Sequence, residues 1–252
     1  MAPLQEAGGL AYLGTMGWSY PFWVGKLYPE GTKPATYLSE YAKRMNSVEV
    51  DATFYRIPSI STVKAWRDAV PDGFRFAAKF PKTITHAPSL SYDSNKLEAF
   101  LRHISILGEK LGPLLLQFPP SLQPTYVVLD DLLEDLPKHW LVAAEFRNRE
   151  WFTEETYQLL RDHGVAITFT NKLGAPEVDT AGFVYIRWEG DRNSVDGEMG
   201  EVEVEKSSET AEWVARIHNY LESGRDVYGY FSKYCSGYPP SDVDSLRNHL
   251  EK

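Results

Sequence analysis

Charged side chains stand at the ends of several short apolar runs, and these residues are the best candidates for chemistry. Segment 48–51 reads VEVD, so Glu49 and Asp51 alternate with valines, and Glu145 and Arg147 alternate with apolar residues in the same way. Because successive side chains of a strand point to opposite faces, the charged residues would share the face away from the apolar layer. The same alternation adds further polar residues to that face: Lys79, Gln117, Thr168, Thr170, Arg187 and Glu189.

The carboxylates of this set suit two kinds of chemistry. Glu145, Glu49 and Asp51 are the candidate catalytic residues, because paired carboxyl groups can act as general acid and general base. Together with Glu189, they are also ligands that Mg²⁺ or Mn²⁺ accepts, although the sequence requires no cofactor. A third interpretation is an internal lattice of salt bridges that stabilises the fold, because a buried charge is costly unless it is paired.

The basic and aromatic residues near these runs indicate an anionic ligand. Arginine and lysine side chains bind phosphate or carboxylate groups well, and aromatic rings can stack on a base or a sugar. The candidate ligand-binding residues are Arg147, Arg187, Lys79, Gln117, Trp18, Tyr55, Arg56, His86 and Trp151.

Several other kinds of site are disfavoured. Cys235 is the only cysteine, which excludes an internal disulfide and a cysteine-rich metal centre. Four of the six histidines, His163 among them, fall in predicted helices, and His139 precedes a strand. Only His86 follows a strand, so a multi-zinc centre is not expected. Segment 14–17 (GTMG) does not match the dinucleotide motif G-x-G-x-x-G, and no phosphate loop G-x-x-x-x-G-K-[ST] is present.

Eight β-rich runs alternate with amphipathic ones along the chain. The predicted strands are 11–15, 47–51, 74–79, 114–117, 141–145, 166–169, 183–187 and 226–231. The predicted helices are 36–43, 61–68, 94–110, 129–136, 153–163, 208–223 and 242–250, with Ser94 and Thr153 as N-caps. Segment 171–182 shows no helical pattern, so that connection is expected to be irregular.

Strands that alternate with helices predict an α/β fold with a parallel sheet. Eight such units in 252 residues favour closure into a single (β/α)₈ TIM-type barrel, with residues 1–252 as one domain, over an open sheet. Barrel enzymes carry their sites at the carboxyl ends of the strands. The polar residues above are therefore expected at the functional mouth of the barrel.

Composition limits the partners and the location. A net charge of −9 does not favour nucleic acid as a partner, because non-specific affinity for phosphates comes from basic surface. There is no apolar run of about 18 residues, so no membrane span is expected. The first residues lack the basic flank and apolar stretch of a signal peptide, which makes a cytoplasmic location the simplest expectation. The sequence does not indicate an oligomeric state.

Six segments of the chain together resemble a known family. They are 14–20 (GTMGWSY), 48–58 (VEVDATFYRIP), 83–86 (TITH), 116–120 (LQFPP), 145–151 (EFRNREW) and 184–187 (VYIR). In this order they are similar to the domain of unknown function 72 (YecE-like) family, over nearly the whole chain. The resemblance implies a TIM-type barrel of uncharacterised activity. A relation of that family to apurinic endonucleases and sugar isomerases has been suggested on fold grounds.

Two positions depart from the pattern of that family. After the seventh strand, where the family has Arg-x-His-Gly, segment 187–190 reads RWEG and carries Glu189. After the eighth strand, where the family has Phe-Asn-Asn, segment 231–233 reads FSK and carries Lys233. Both positions lie on the predicted site face, so they could alter any activity of the family.

These observations lead to two hypotheses about function. The first is an enzyme, with hydrolysis as the favoured reaction, that acts on a phosphorylated, nucleotide-like or sugar-bearing anionic substrate at the barrel mouth. In it, Glu145 is the general base or a metal ligand, and Arg147, Arg187 and Lys79 hold the anion. The second is a non-catalytic barrel that binds a ligand or associates with nucleic acid.

Overall fold

The computed structural model describes residues 4–6 and 8–251. Its strands form one sheet whose order follows the chain, and β2 also pairs with β9, which closes eight parallel strands into a barrel. The predicted α/β TIM-type barrel is thereby confirmed. The strands are β1 Leu4–Glu6, β2 Gly9–Met16, β3 Ser47–Val50, β4 Arg75–Lys79, β5 Leu111–Phe118, β6 Val142–Phe146, β7 Ala166–Thr170, β8 Phe183–Trp188 and β9 Asp226–Phe231.

All eight predicted strands are present, and one further strand was missed. The missed strand, β1, pairs antiparallel with β2 and lies outside the parallel set. Its three residues are too few to show a period-2 alternation, which is the signal that identified the others.

Helices follow most of the strands, as the sequence predicts. They are α1 Tyr37–Tyr41, α2 Ala52–Tyr55, α3 Ile60–Asp68, α4 Lys82–Thr85, α5 Ser94–Ile104, α6 Tyr126–Glu134, α7 Glu154–His163, α8 Ser207–Glu222 and α9 Pro239–Leu250. The segment between β7 and β8 contains no helix among the described residues, which confirms the irregular connection.

The helix ends agree with the predicted caps at α7 and differ from the predicted cap at α5. The hydroxyl of Thr153 accepts a hydrogen bond from the Thr156 amide at the start of α7, and Gly164 ends that helix at a φ of 65°, as expected for a cap and a left-handed glycine. The cap of α5 is Asp93 rather than the predicted Ser94. The predicted helix 94–110 continues as a 3₁₀ turn that is broken at Gly108, because that glycine adopts a φ of 57°.

Contacts between residues divide the chain into two compact units. Unit 1 comprises Met1–Glu49, Ala69–Arg75 and Ile186–Lys252, and unit 2 comprises Val50–Asp68 and Phe76–Tyr185. The single domain predicted over residues 1–252 stays a prediction.

The described residues include no helix that is both long and apolar enough to cross a bilayer. The cytoplasmic location stays a prediction.

Candidate functional site

In unit 2, strands β4 to β7 present their polar side chains on one face. Residues paired across a parallel ladder share a face, and every second residue along a strand keeps it. Lys79, Gln117, Glu145 and Thr168 therefore lie on the same face, toward the carboxyl ends of their strands. The pairs that set this register are Lys79–Leu115, Gln117–Glu145 and Ala143–Ala166. We call Lys79, Gln117, Glu145, Arg147 and Thr168 the β4–β7 cluster.

Glu145 is the buried carboxylate of this cluster. Its side chain is 1% exposed, and its Oε1 atom accepts hydrogen bonds from the Gln117 amide nitrogen, at 2.9 Å, and from the Arg147 Nε atom. Two donors stabilise the ionised form of a carboxyl group. The side chain of Arg147 is 24% exposed, so one partner of this ion pair reaches water.

Thr168 is a second buried polar group of the cluster. Continuation of the β6–β7 register places it beside Glu145. The residue is 1% exposed, and its hydroxyl oxygen has no hydrogen-bond partner among the described residues. A buried hydroxyl without a partner costs about 1–3 kcal/mol. A ligand hydroxyl that paired with it would offset that cost.

Lys79 ends β4 and is the buried cation of the cluster. Its ammonium lies 4.4 Å from the centre of the Phe54 ring and 4.0 Å from the nearest carboxylate oxygen of Asp51. The Thr53 hydroxyl donates to the Lys79 carbonyl at 2.6 Å. Helix α2 thus places Phe54 over Lys79, and the half-buried Asp51, which directly precedes α2, lies at the outer limit of an ion pair.

His86, which directly follows α4, packs against the same aromatic ring. Its imidazole lies 5.0 Å from Phe54, edge to face, and its Nδ1 atom is 2.9 Å from the Thr85 hydroxyl. Partial burial lowers the pKa of His86 below its ordinary 6.5, and the charges of Lys79 and Lys82 lower it further. The lowered pKa favours the neutral form of the imidazole at pH 7.

The remaining predicted residues of unit 2 differ in exposure. Tyr55 is 73% exposed at the end of α2, and Arg56 beside it is exposed as well. Trp151 is fully buried: its indole NH donates to the Leu122 carbonyl at 3.0 Å, and its ring stacks on Phe146. The ring has no exposed face, and ligand binding by Trp151 stays a prediction.

In unit 1, Arg187 forms ion pairs with carboxylates of the protein. Its Nε and Nη2 atoms donate to the two carboxylate oxygens of Glu49, with distances from 2.8 to 3.2 Å, and Nη1 donates to Glu189 at 2.5 Å. The guanidinium also lies 3.3 Å from the Met16 sulfur. Arg187 and Glu49 are buried, and the two carboxylates already balance the charge of Arg187. The anion-binding role of Arg187 stays a prediction. The catalytic role of Glu49 stays a prediction.

The two departures from the family pattern are both ion-paired. Glu189 binds Arg187, and the Lys233 ammonium lies 2.6 Å from Glu198. For Arg187, Glu49 and Glu189, the salt-bridge interpretation describes the geometry. Trp18, in the same unit, is half-buried, and its carbonyl accepts the hydroxyl of Tyr28.

The β4–β7 cluster contains one carboxylate, and the group formed by Arg187, Glu49 and Glu189 contains two. A Mg²⁺ or Mn²⁺ site at the strand ends stays a prediction. The described residues do contain one set of three metal-ligating side chains, on α6 and α7: Asp130, Glu134 and His163. Sequence reasoning missed this set. The four-residue spacing of Asp130 and Glu134 was a signal, but nothing in the sequence pairs them with a histidine on another helix.

Comparison with other proteins shows which family the chain matches. A family model described as "Protein of unknown function DUF72" matches residues 12–252. The UPF0759 protein YecE of Escherichia coli K12 is 33% identical over 165 residues, which cover 65% of this chain and 58% of YecE. YunF of Bacillus subtilis 168 is 28% identical over 161 residues, or 59% and 55% of the two chains. The matches thus span little more than half the length of these relatives.

Solved structures of the same family share the fold. A DUF72 family protein from Thermotoga maritima MSB8 is 27% identical, with a TM-score of 0.76, over 96% of this chain and 99% of its own. A DUF72 family protein from Enterococcus faecalis V583 is 20% identical, with a TM-score of 0.78, over 98% and 100%. The family model covers almost the whole chain, and this protein belongs to the DUF72 family.

Proposed function

We propose that this protein is an enzyme that acts on a phosphorylated sugar-like or nucleotide-like substrate at the β4–β7 cluster. One observation carries the proposal. A buried carboxylate, a buried lysine and a buried hydroxyl without a partner among the described residues share one face at the carboxyl ends of neighbouring strands, and Arg147, just after β6, binds the carboxylate. That is the end at which barrel enzymes bind their substrates.

The spacing of the two cations favours a substrate larger than inorganic phosphate. Lys79 and Arg147 belong to β4 and to the end of β6, with β5 between them. Neighbouring strands are about 4.8 Å apart, so the backbones that carry the two side chains are separated by up to about 9.6 Å across the sheet. A sugar phosphate or a nucleotide is long enough to contact both, and its hydroxyl groups would provide a partner for Thr168.

The roles of the residues follow from their surroundings. Lys79 and Arg147 bind the anionic group, since charge-assisted hydrogen bonds to phosphate are strong. Glu145, which accepts hydrogen bonds from Gln117 and Arg147, acts as the general base that takes a proton from an attacking water molecule. His86, whose neutral form is favoured by its lowered pKa, is a second candidate proton acceptor. The favoured reaction is a hydrolysis: the water oxygen bonds to phosphorus, the ester bond to the leaving oxygen breaks, and the proton that Glu145 took passes to that leaving oxygen.

A ligand panel tests this proposal. Unfolding temperatures would be measured with inorganic phosphate, glucose 6-phosphate, ribose 5-phosphate and AMP, with and without Mg²⁺ or Mn²⁺, for the wild type and for Lys79→Met. A ligand at ten times its Kd stabilises the folded state by about 1.4 kcal/mol, which raises the unfolding temperature of a chain of this length by about 3–6 °C. Lys79→Met should lose most of that rise. Lys96→Met, at an exposed position of α5, is the matched control and should keep it.

Release of phosphate or of the sugar from the stabilising compound is the second measurement. Stabilisation with turnover supports the enzyme. Stabilisation without turnover of any compound would favour the non-catalytic ligand-binding barrel. An absence of stabilisation across the panel would contradict the site itself.

A further inference from the structure

Three metal-ligating side chains meet where α6 and α7 end. Asp130 and Glu134 are one helical turn apart on α6, and His163 is the last residue of α7. The His163 Nε2 atom is 2.6 Å from an Asp130 oxygen, and its Nδ1 atom is 3.8 Å from a Glu134 oxygen. One ligand atom from each residue lies within 4.8 Å of the other two.

The electrostatics of this place attract a cation. Glu134 and His163 are the last residues of their helices, and the carboxyl end of a helix carries a partial negative charge. Asp131 and Asp135 add two further carboxylates to the same end of α6. Four carboxylates thus lie within residues 130–135.

The three side chains also differ in exposure, and therefore in how far each can move, in a way that suits a set of metal ligands. The imidazole of His163 is almost completely buried, so its position is determined by packing, whereas the Asp130 and Glu134 side chains are more than half exposed. The two carboxylates can thus adjust around an ion that the imidazole binds.

We propose that Asp130, Glu134 and His163 bind a divalent cation of the zinc class and thereby join α6 to α7. One imidazole nitrogen and two carboxylate oxygens are a donor set that Zn²⁺ accepts, with water as the fourth ligand. Ca²⁺ and Mg²⁺ prefer oxygen ligands alone, so the histidine selects against them. The site is separate from the β4–β7 cluster and does not depend on the proposed function.

Lys138 competes with the metal ion for this site. Its ammonium lies 3.2 Å from Glu134 and 3.4 Å from the His163 Nδ1 atom. The side chain is 58% exposed, so it can move into water when the ion binds. Removal of this positive charge should therefore strengthen metal binding.

Calorimetric titration with Zn²⁺ in a buffer that does not chelate metals tests the site. We expect one ion per chain for the wild type. His163→Gln and Asp130→Asn should each weaken binding by at least about tenfold, since loss of a ligand exceeds the effect of losing an outer partner. Lys138→Met should tighten binding about two- to fivefold, the effect of one exposed charge. His249→Gln, in the last turn of α9, is the matched control and should bind as the wild type does.

Two results would overturn the site. One is the absence of saturable 1:1 binding by the wild type at millimolar Zn²⁺, and the other is unchanged binding by both His163→Gln and Asp130→Asn. Circular dichroism of each variant separates loss of binding from loss of fold. Asp130→Asn keeps the test informative if His163→Gln does not fold, because Asp130 is exposed.

Discussion

Replacement of Glu145 by glutamine separates a functional carboxylate from a structural one. The hydrogen bonds from Gln117 and from the Arg147 Nε atom reach the Oε1 atom, so a glutamine amide oxygen in that place can accept both of them. What is lost is charge: a charge-assisted hydrogen bond contributes about 1.5–3 kcal/mol and a neutral one about 0.5–1.5. Because Arg147 is 24% exposed, water screens part of the unpaired charge. We expect a loss of about 1–2 kcal/mol in the free energy of unfolding.

Urea denaturation of wild type and Glu145→Gln, with and without glucose 6-phosphate or AMP, is the assay. The variant should keep most of its stability and lose its stabilisation by the ligand. Glu154→Gln is the matched control, since Glu154 also pairs with an arginine, Arg161, at 2.6 Å, but at an exposed position. That control should change stability by less than about 0.5 kcal/mol and keep the ligand response.

A large loss of stability together with an unchanged ligand response would refute a functional role for Glu145. If the carboxylate only neutralises Arg147, its removal leaves an uncompensated charge in the site. Breaking a buried pair in this way typically costs about 3–5 kcal/mol. A loss of that size in Glu145→Gln, together with a ligand response equal to that of the wild type, would make the β4–β7 cluster structural.

Two further predictions concern single buried groups. Thr168→Val should leave stability unchanged or raise it by about 1 kcal/mol, because it removes an unpaired buried hydroxyl. It should also weaken the stabilisation by the ligand, whereas Thr168→Ser should keep that stabilisation. A destabilised Thr168→Val variant with an intact ligand response would contradict this prediction. Burial raises the pKa of Asp242 from 3.8 to about 7, so the folded protein holds a proton that the unfolded chain releases, and stability must fall as the pH rises between about 4 and 7. Asp242→Asn should remove that fall, and its free energy of unfolding should exceed that of the wild type by a few kcal/mol at about pH 8, at ~1.4 kcal/mol per pKa unit. Stability would be measured against pH for both proteins, and parallel profiles would show that the pKa shift is absent.

The sequence predicted the strands well because their signal is local. Each of the eight barrel strands alternates apolar and polar residues or forms a short apolar run, and the residue that ends each run could be identified without knowledge of its neighbours. The position of Glu145 beside Gln117 follows directly from that reasoning together with the parallel register.

The partners of the side chains could not be predicted, because they depend on contacts distant in the sequence. Arg187 is buried at the end of its strand, but its pairing with Glu49 spans 138 positions. Trp151 follows a polar segment that suggests exposure, yet the 3₁₀ turn Arg149–Trp151 directs its ring into the core. His163 and Asp130, which are 33 positions apart, show the same limit.

A crystal structure grown with a saturating concentration of AMP or glucose 6-phosphate would show whether the β4–β7 cluster binds the substrate. We expect a phosphoryl group hydrogen-bonded to Lys79 or Arg147 and a ligand hydroxyl within about 3.2 Å of the Thr168 oxygen. A ligand that binds elsewhere, or a β4–β7 cluster that binds neither compound at saturating concentration, would contradict this expectation.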